Sequence, residues 1–259
     1  LALTLAVVVP VMLAPVVSPG DPLAVSLGDR FLPPLSPGHP FGTDDLGRDL
    51  LARLAWGGRV SLIAGVLAVL LAGGVGSLLG LAAGLRGGAV DAAVSRLVEA
   101  QLSLPLLMLL LLVIAVFGQN LAVLVLVLAI AQWPESARLT RALALVEREQ
   151  TYVEAARSVG AGPWRILARH LLPNVAAPLL VVLTLLLAQA VLVESALSYL
   201  GLGVARPYPT WGRVLADGQQ YITTAWWLVT IPGLVISVLV LGVNLLAEGV
   251  REVVTRGTG

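Results

Sequence analysis

Two residue types are missing from this chain altogether, cysteine and lysine. Without cysteine there is neither a disulfide framework nor a thiolate site. Without lysine the phosphate-binding loop GxxxxGK[ST] cannot be assembled, because its lysine must reach the β- and γ-phosphates. Any ATP hydrolysis therefore belongs to a partner. Charge is scarce as well: 12% of residues, a net charge of +1, and no basic cluster that points to a nucleic-acid partner. What the chain has in excess is apolar surface, 58% of its 259 residues, more than a soluble core of ordinary composition hides. The expectation is an all-α polytopic membrane protein, one transmembrane domain over residues 1–259 with six transmembrane helices and membrane lipid around it.

Residues 1–17 are apolar apart from Thr4 and read as a first span. With no initiator methionine, charged n-region or cleavage site, the numbering is expected to start inside that span rather than after a signal peptide. Residues 18–57 read as an extracytoplasmic segment: a proline- and glycine-rich loop, then an amphipathic interfacial helix capped by Thr43, with Asp44 and Asp45 in its first turn and Leu46, Leu50 and Leu54 as its apolar line, running to Trp56. His39 beside those acids reads as a solvated loop histidine, not a metal ligand.

The second span, 60–85, carries Ala64, Ala68, Ala72, Gly76, Gly80 and Gly84 in an i, i+4 ladder, which lets another helix approach closely. A third helix starts with Asp91, Arg96 and Glu99, becomes apolar over 102–117 and has a kink point at Pro105. The fourth span, 121–133, ends before Pro134. Residues 134–173 hold the densest positive charge, which places them in the cytoplasm and the loops 18–57 and 201–226 outside, with both termini inside. The fifth span, 175–192, leads to Glu194, read either as a functional intramembrane acid or as a rim residue, hydrated or paired with an arginine. Tyr208, Trp211, Tyr221, Trp226 and Trp227 read as an interfacial belt or, alternatively, as a stacking surface for a ligand. Asn244 lies in the last span, 228–246, where helix packing is the ordinary use of an asparagine.

The most informative stretch lies inside 134–173. Tyr152, Ala155, Ala156 and Val159 recur at helical spacing, with Glu154, Arg157 and Ser158 facing elsewhere. Gly160-Ala161-Gly162-Pro163 turns the chain sharply, and a second helix places Trp164, Leu167, Ala168, Leu171 and Leu172 opposite Arg165 and Arg169, with Pro173 closing the unit. Glu154, Ala155, Ala156, Gly160, Leu172 and Pro173 resemble the cytoplasmic signature of the membrane subunits of bacterial ATP-binding-cassette importers, with His170 where isoleucine is usual. Three further strings resemble the second (C-type) permease of the dipeptide, oligopeptide and nickel branch: His39 to Asp49, Glu194 to Gly203 with Tyr199 in place of phenylalanine, and Asn244 to Glu252 with Ala247 and Glu248 as departures.

The resemblance implies a type I importer permease fold and a non-catalytic, pore-forming subunit in the bacterial inner membrane. It implies a homologous second permease subunit, two ATP-binding subunits that bind ATP and magnesium, and an extracytoplasmic substrate-binding protein. Glu154, Ala155, Ala156, Gly160, Ala161, Gly162, Pro163 and Trp164 would form the ATPase-docking elbow. Glu194, Ser198 and Asn244 are candidates for the gate or path. Di- or oligopeptides are the expected substrates, with nickel or another small solute as the alternative, and an ion-coupled secondary transporter as the rival from another class.

Overall fold

In a bilayer backbone N–H and C=O groups must be satisfied within the protein, and apolar runs as long and continuous as those of this chain do so as helices. The computed structural model describes residues 1–18, 20–166, 169 and 171–256. Its helices are α1 (Ala2–Met12), α2 (Ala14–Val17), α3 (Leu50–Arg86), α4 (Gly88–Leu102), α5 (Leu106–Phe117), α6 (Leu121–Glu147), α7 (Thr151–Ser158), α8 (Pro163–Ile166), α9 (Leu172–Tyr199), α10 (Trp211–Gly218) and α11 (Trp227–Arg256). Four of them, α3, α6, α9 and the body of α11, are long and apolar enough to cross a membrane. Helices α4 and α5 meet at an angle of 89°, a broken fifth span or a re-entrant loop, so the kink expected at Pro105 is a complete break. Helix α1, with 11 residues, is shorter than the roughly 20 a bilayer needs. It lies along α11, where a Cβ on Gly242 would sit 2.7 Å from the backbone nitrogen of Thr4. The named elements of the described residues are all helices, and four or five crossings together with the short α1 are consistent with the six-helix expectation.

The small-residue ladder of α3 is a seam with α6. A Cβ at Gly76 would come within 2.4 Å of the Trp133 carbonyl oxygen, at Gly80 within 2.1 Å of Thr140 Oγ1 and 2.3 Å of the Ala137 carbonyl oxygen, and at Gly84 within 2.6 Å of the Ala144 methyl. The contact points advance together on both helices, so α3 and α6 run parallel with their backbones touching. Ala64 and Ala68, higher on the same ladder, pack with Leu110 and Ile114 of α5 and Val127 and Leu128 of α6.

Three boundaries differ from the sequence expectation. Helix α6 does not stop at Trp133 but continues through Pro134 to Glu147. Proline leaves the carbonyl of Ile130, four residues earlier, without its helical donor. Gln101, at the end of α4, donates its Nε2–H to that oxygen and accepts from Trp133 Nε1 at 2.6 Å. Helix α9 runs unbroken through Pro178, and Pro173 sits in its first turn instead of closing the preceding unit. The amphipathic helix expected from Thr43 to Trp56 is not a separate element. Residues 43–49 are loop, and Leu50 begins α3, capped by Asp49, which accepts from the Ala52 amide at 2.7 Å and binds His39 Nδ1 at 2.8 Å. The Thr43 hydroxyl ties the loop together instead, accepting from the Leu32 amide at 2.9 Å and donating to the Asp29 carbonyl.

Candidate functional site

The loops 18–49 and 201–226 meet at one end of the bundle, and the α7–α8 elbow occupies the other. The elbow is anchored from beneath: Val153, Ile166 and Leu171 are buried with Leu81 of α3, Ala144 of α6 and Val175 of α9, and Ala156 and Ala161 pack against them. The buried line of α7 is thus Val153 and Ala156, not the stripe of Tyr152, Ala155, Ala156 and Val159 expected from spacing. Glu154, Ala155, Ser158 and Val159 point outward, Val159 with 85% of its surface exposed, while Tyr152, 38% exposed, lies at the margin with its hydroxyl turned to α6 and α9. Gly160 turns the chain with φ +82°, a conformation that costs a residue with a Cβ about 1–2 kcal/mol, and open space surrounds it. Gly162 is likewise exposed, and α8 starts at Pro163. Leu167, Ala168 and His170, and the side chains of Arg157, Pro163 and Trp164, lie outside the described residues.

Hydrogen bonds fix the elbow to the helix ends. Tyr152 donates to Glu147 Oε2 and accepts from Asn174 Nδ2 at 2.8 Å, which joins α7 to α6 and α9. Burial, and then the bond to Glu147, raise the Tyr152 phenol above its ordinary value. Arg148 donates to the Gly84 carbonyl at 3.0 Å, and Arg141 Nη2 donates to Asp91 Oδ2 at 2.7 Å.

At the opposite end an ion-pair network closes the bundle. Arg53, buried in the first turn of α3, binds Asp44 Oδ2 and Asp217 Oδ2, each at 2.6 Å. Asp44, also buried, accepts from Arg48 Nε at 2.7 Å and from the amides of Leu46 and Arg48. Trp211 and Trp227 are not belt residues. Both are buried, donating to the carbonyls of Leu54 at 2.9 Å and Thr43 at 3.1 Å, while Tyr208 and Trp226 remain exposed.

Glu194 is fully buried and, among the described residues, is paired with no arginine. Its Oε1 accepts from Ser198 Oγ at 2.6 Å, and the hydroxyls of Ser61, Ser195 and Thr210 lie around it. The structure therefore brings Glu194 and Ser198 together beneath α10 and separates them from Asn244, which is exposed on α11 instead of buried between helices. Among the described residues no group of three or more His, Asp or Glu could hold a metal ion.

Residues 76–258 match the binding-protein-dependent transport system inner membrane component family. A putative peptide transport system permease protein of Brucella suis is 41% identical over 253 residues, spanning 98% of this chain and 85% of that protein. The probable D,D-dipeptide transport system permease DdpC of Escherichia coli is 38% identical over 264 residues, spanning 100% and 88%. The chain belongs to this family. Its fold is also that of a chain of the MetNI methionine ABC transporter in an inward-facing form, with a TM-score of 0.62 at 22% identity over 76% of this chain and 94% of that one.

As an ABC importer permease of the peptide-transport branch, the chain is a multi-pass inner-membrane subunit that works with partner proteins, and the self-sufficient secondary transporter is set aside. Several residues that organise such a permease were invisible to sequence reasoning. Arg53 is a single charge inside Leu-Leu-Ala-Arg-Leu-Ala-Trp, and its partners lie 9 and 164 positions away. Gln101 gave no signal, because its task is set by a proline on another helix.

Proposed function

We propose that this chain is one of the two pore-forming permeases of an ATP-driven importer of di- or oligopeptides, and that the α7–α8 elbow receives the motion of the ATP-binding subunits. The observation that carries this reading is the elbow's construction: an exposed tip at Glu154, Ala155, Ser158, Val159 and Gly160 over a base packed on α3, α6 and α9. A protein seated on that tip pushes three spans at once. In this reading ATP and magnesium are held by two partner ATPases, a homologous permease supplies the other half of the path, and an extracytoplasmic binding protein delivers substrate to the end bearing Arg53 and Trp211. Both termini and the elbow then lie in the cytoplasm, in keeping with the arginine-rich block at 138–169. Closure of the ATPases shifts the bundle between two packings, one open to each side. Peptide is the substrate by the names of the Brucella suis and Escherichia coli relatives.

The test is reconstitution of the complex with Gly160→Asp or Glu154→Lys. Each variant is expected to reach the membrane and keep ATPase activity while peptide uptake per ATP falls at least tenfold, about 1.4 kcal/mol of lost coupling. Undiminished uptake by Gly160→Asp would refute the elbow's assignment.

A further inference from the structure

A cleft of about 790 Å³ opens where α4 and α5 break, between that break, α6 and α9, and Gln101, Pro134, Glu135, Arg138 and Gln189 are among its walls. Glu135, Arg138 and Gln189 are exposed on this chain although each belongs to a helix that qualifies as a membrane span. Glu135 lies about 21 Å along α6 from Leu121 at 1.5 Å per residue, and Gln189 about 15 Å from the Tyr199 end of α9. Measured from those helix ends, both fall within the thickness of a hydrocarbon layer of about 30 Å, and Arg138, one turn further along α6, stands at its cytoplasmic edge. Charged groups there face water or protein rather than lipid tails.

Neither of these charges is spent within the described bundle. Arg141, one turn beyond Arg138, is committed to Asp91, and Arg53 is committed to Asp44 and Asp217. Glu135 and Arg138, one turn apart on the same helix, form no ion pair or side-chain hydrogen bond among the described residues. Gln101, by contrast, is fixed as wall by Trp133 and Ile130. An unpaired anion and an unpaired cation one turn apart, with a primary amide across the cleft, match a molecule that carries an ammonium, a carboxylate and amide groups between them.

Building on the permease reading above, we propose that this cleft is the chain's share of the translocation path, and that Glu135 meets the ammonium and Arg138 the carboxylate of a passing zwitterionic peptide while Gln189 hydrogen-bonds its amides. Opposite fixed charges of this kind bind each end weakly and release it, which suits a path better than a tight site.

Because the chain has no cysteine, a single introduced one is its only thiol. In the complete reconstituted complex, Glu135→Cys, Arg138→Cys and Gln189→Cys are compared with Leu70→Cys, whose side chain is 62% exposed on an apolar face of α3. Reaction of this subunit is followed with a cationic and an anionic water-soluble methanethiosulfonate. The three cleft positions are expected to react at least tenfold faster than Leu70→Cys. The cation should be favoured severalfold at Arg138→Cys, where Glu135 remains, and the anion at Glu135→Cys, where Arg138 remains. Cleft cysteines as inert as Leu70→Cys, in a complex whose ATP-driven peptide uptake is intact, overturn the inference and leave the permease reading standing. Equal rates for the two reagents overturn the charge assignment. Absence of ATP-driven peptide uptake by the unmodified complex overturns the permease reading itself.

Discussion

Adding one methyl group at Gly80 tests how tightly α3 and α6 are bound. The new Cβ would lie 2.1 Å from Thr140 Oγ1 and 2.3 Å from the Ala137 carbonyl oxygen, whereas ordinary contact begins near 3.4 Å. The threonine can rotate, but the carbonyl belongs to the α6 backbone, so the two helices must part by about 1 Å locally. Overpacking of this size costs roughly 1–3 kcal/mol. Gly74, on the same helix, has no atom within 4 Å of its would-be Cβ, so Gly74→Ala experiences only the helix preference for alanine, up to about 1 kcal/mol in the stabilising direction. The assay is thermal unfolding of the two variant complexes in detergent, followed by the temperature at which the assembled peak is lost on size exclusion. Gly80→Ala is expected to melt several degrees below the parent and Gly74→Ala at or above it. Indistinguishable midpoints for the two would refute the close backbone approach.

The remaining predictions concern the two ends of the bundle. Asp44→Asn leaves Arg53 buried with a weaker partner and, on the cost of breaking a buried pair, is expected to destabilise the complex by up to about 3–5 kcal/mol; replacing Arg53 by methionine in the same chain should recover part of that loss, measured as the same melting shift. Tyr152 lies outside the spans, and its phenol is raised by burial and by Glu147. The stability it contributes is full below the ordinary tyrosine value of 10.0 and is lost as pH rises through the higher folded value, so an alkaline decline in the melting temperature that disappears in Tyr152→Phe is the expected signature.

The parts of this fold that could be read from sequence are those governed by local periodicity. The ladder from Ala64 to Gly84 announces a helix seam because small residues every fourth position have one physical use in a span. The turn at Gly160 was equally plain, since Gly-Ala-Gly-Pro offers the backbone little else. Failures fell where distant residues intervene. Thr43, Asp44 and Asp45 have the chemistry of a helix start, yet Asp44 is consumed by Arg53 and Arg48, and Asp49 takes over as the cap. Pro134 reads as a stop because the donor that rescues Ile130 belongs to a different helix. On α7 the spacing put Tyr152 on the apolar line, and the floor beneath the helix selects Val153 instead. Glu194 was recognised as unusual, but the shell of hydroxyls around it comes from α3, α9 and the residue preceding α10.

Helix α3 has 37 residues, about 55 Å from Leu50 to Arg86. Welded to α6 along the glycines near its lower end, it behaves as a beam with a reinforced foot. A tilt of about 10° at that foot sweeps the far tip, where Arg53 holds the opposite loops, through roughly 10 Å, the width of a helix. On the coupling proposed above, a small stroke at the elbow's end of the bundle is geared into a larger displacement at the opposite end, with no break in α3 between them.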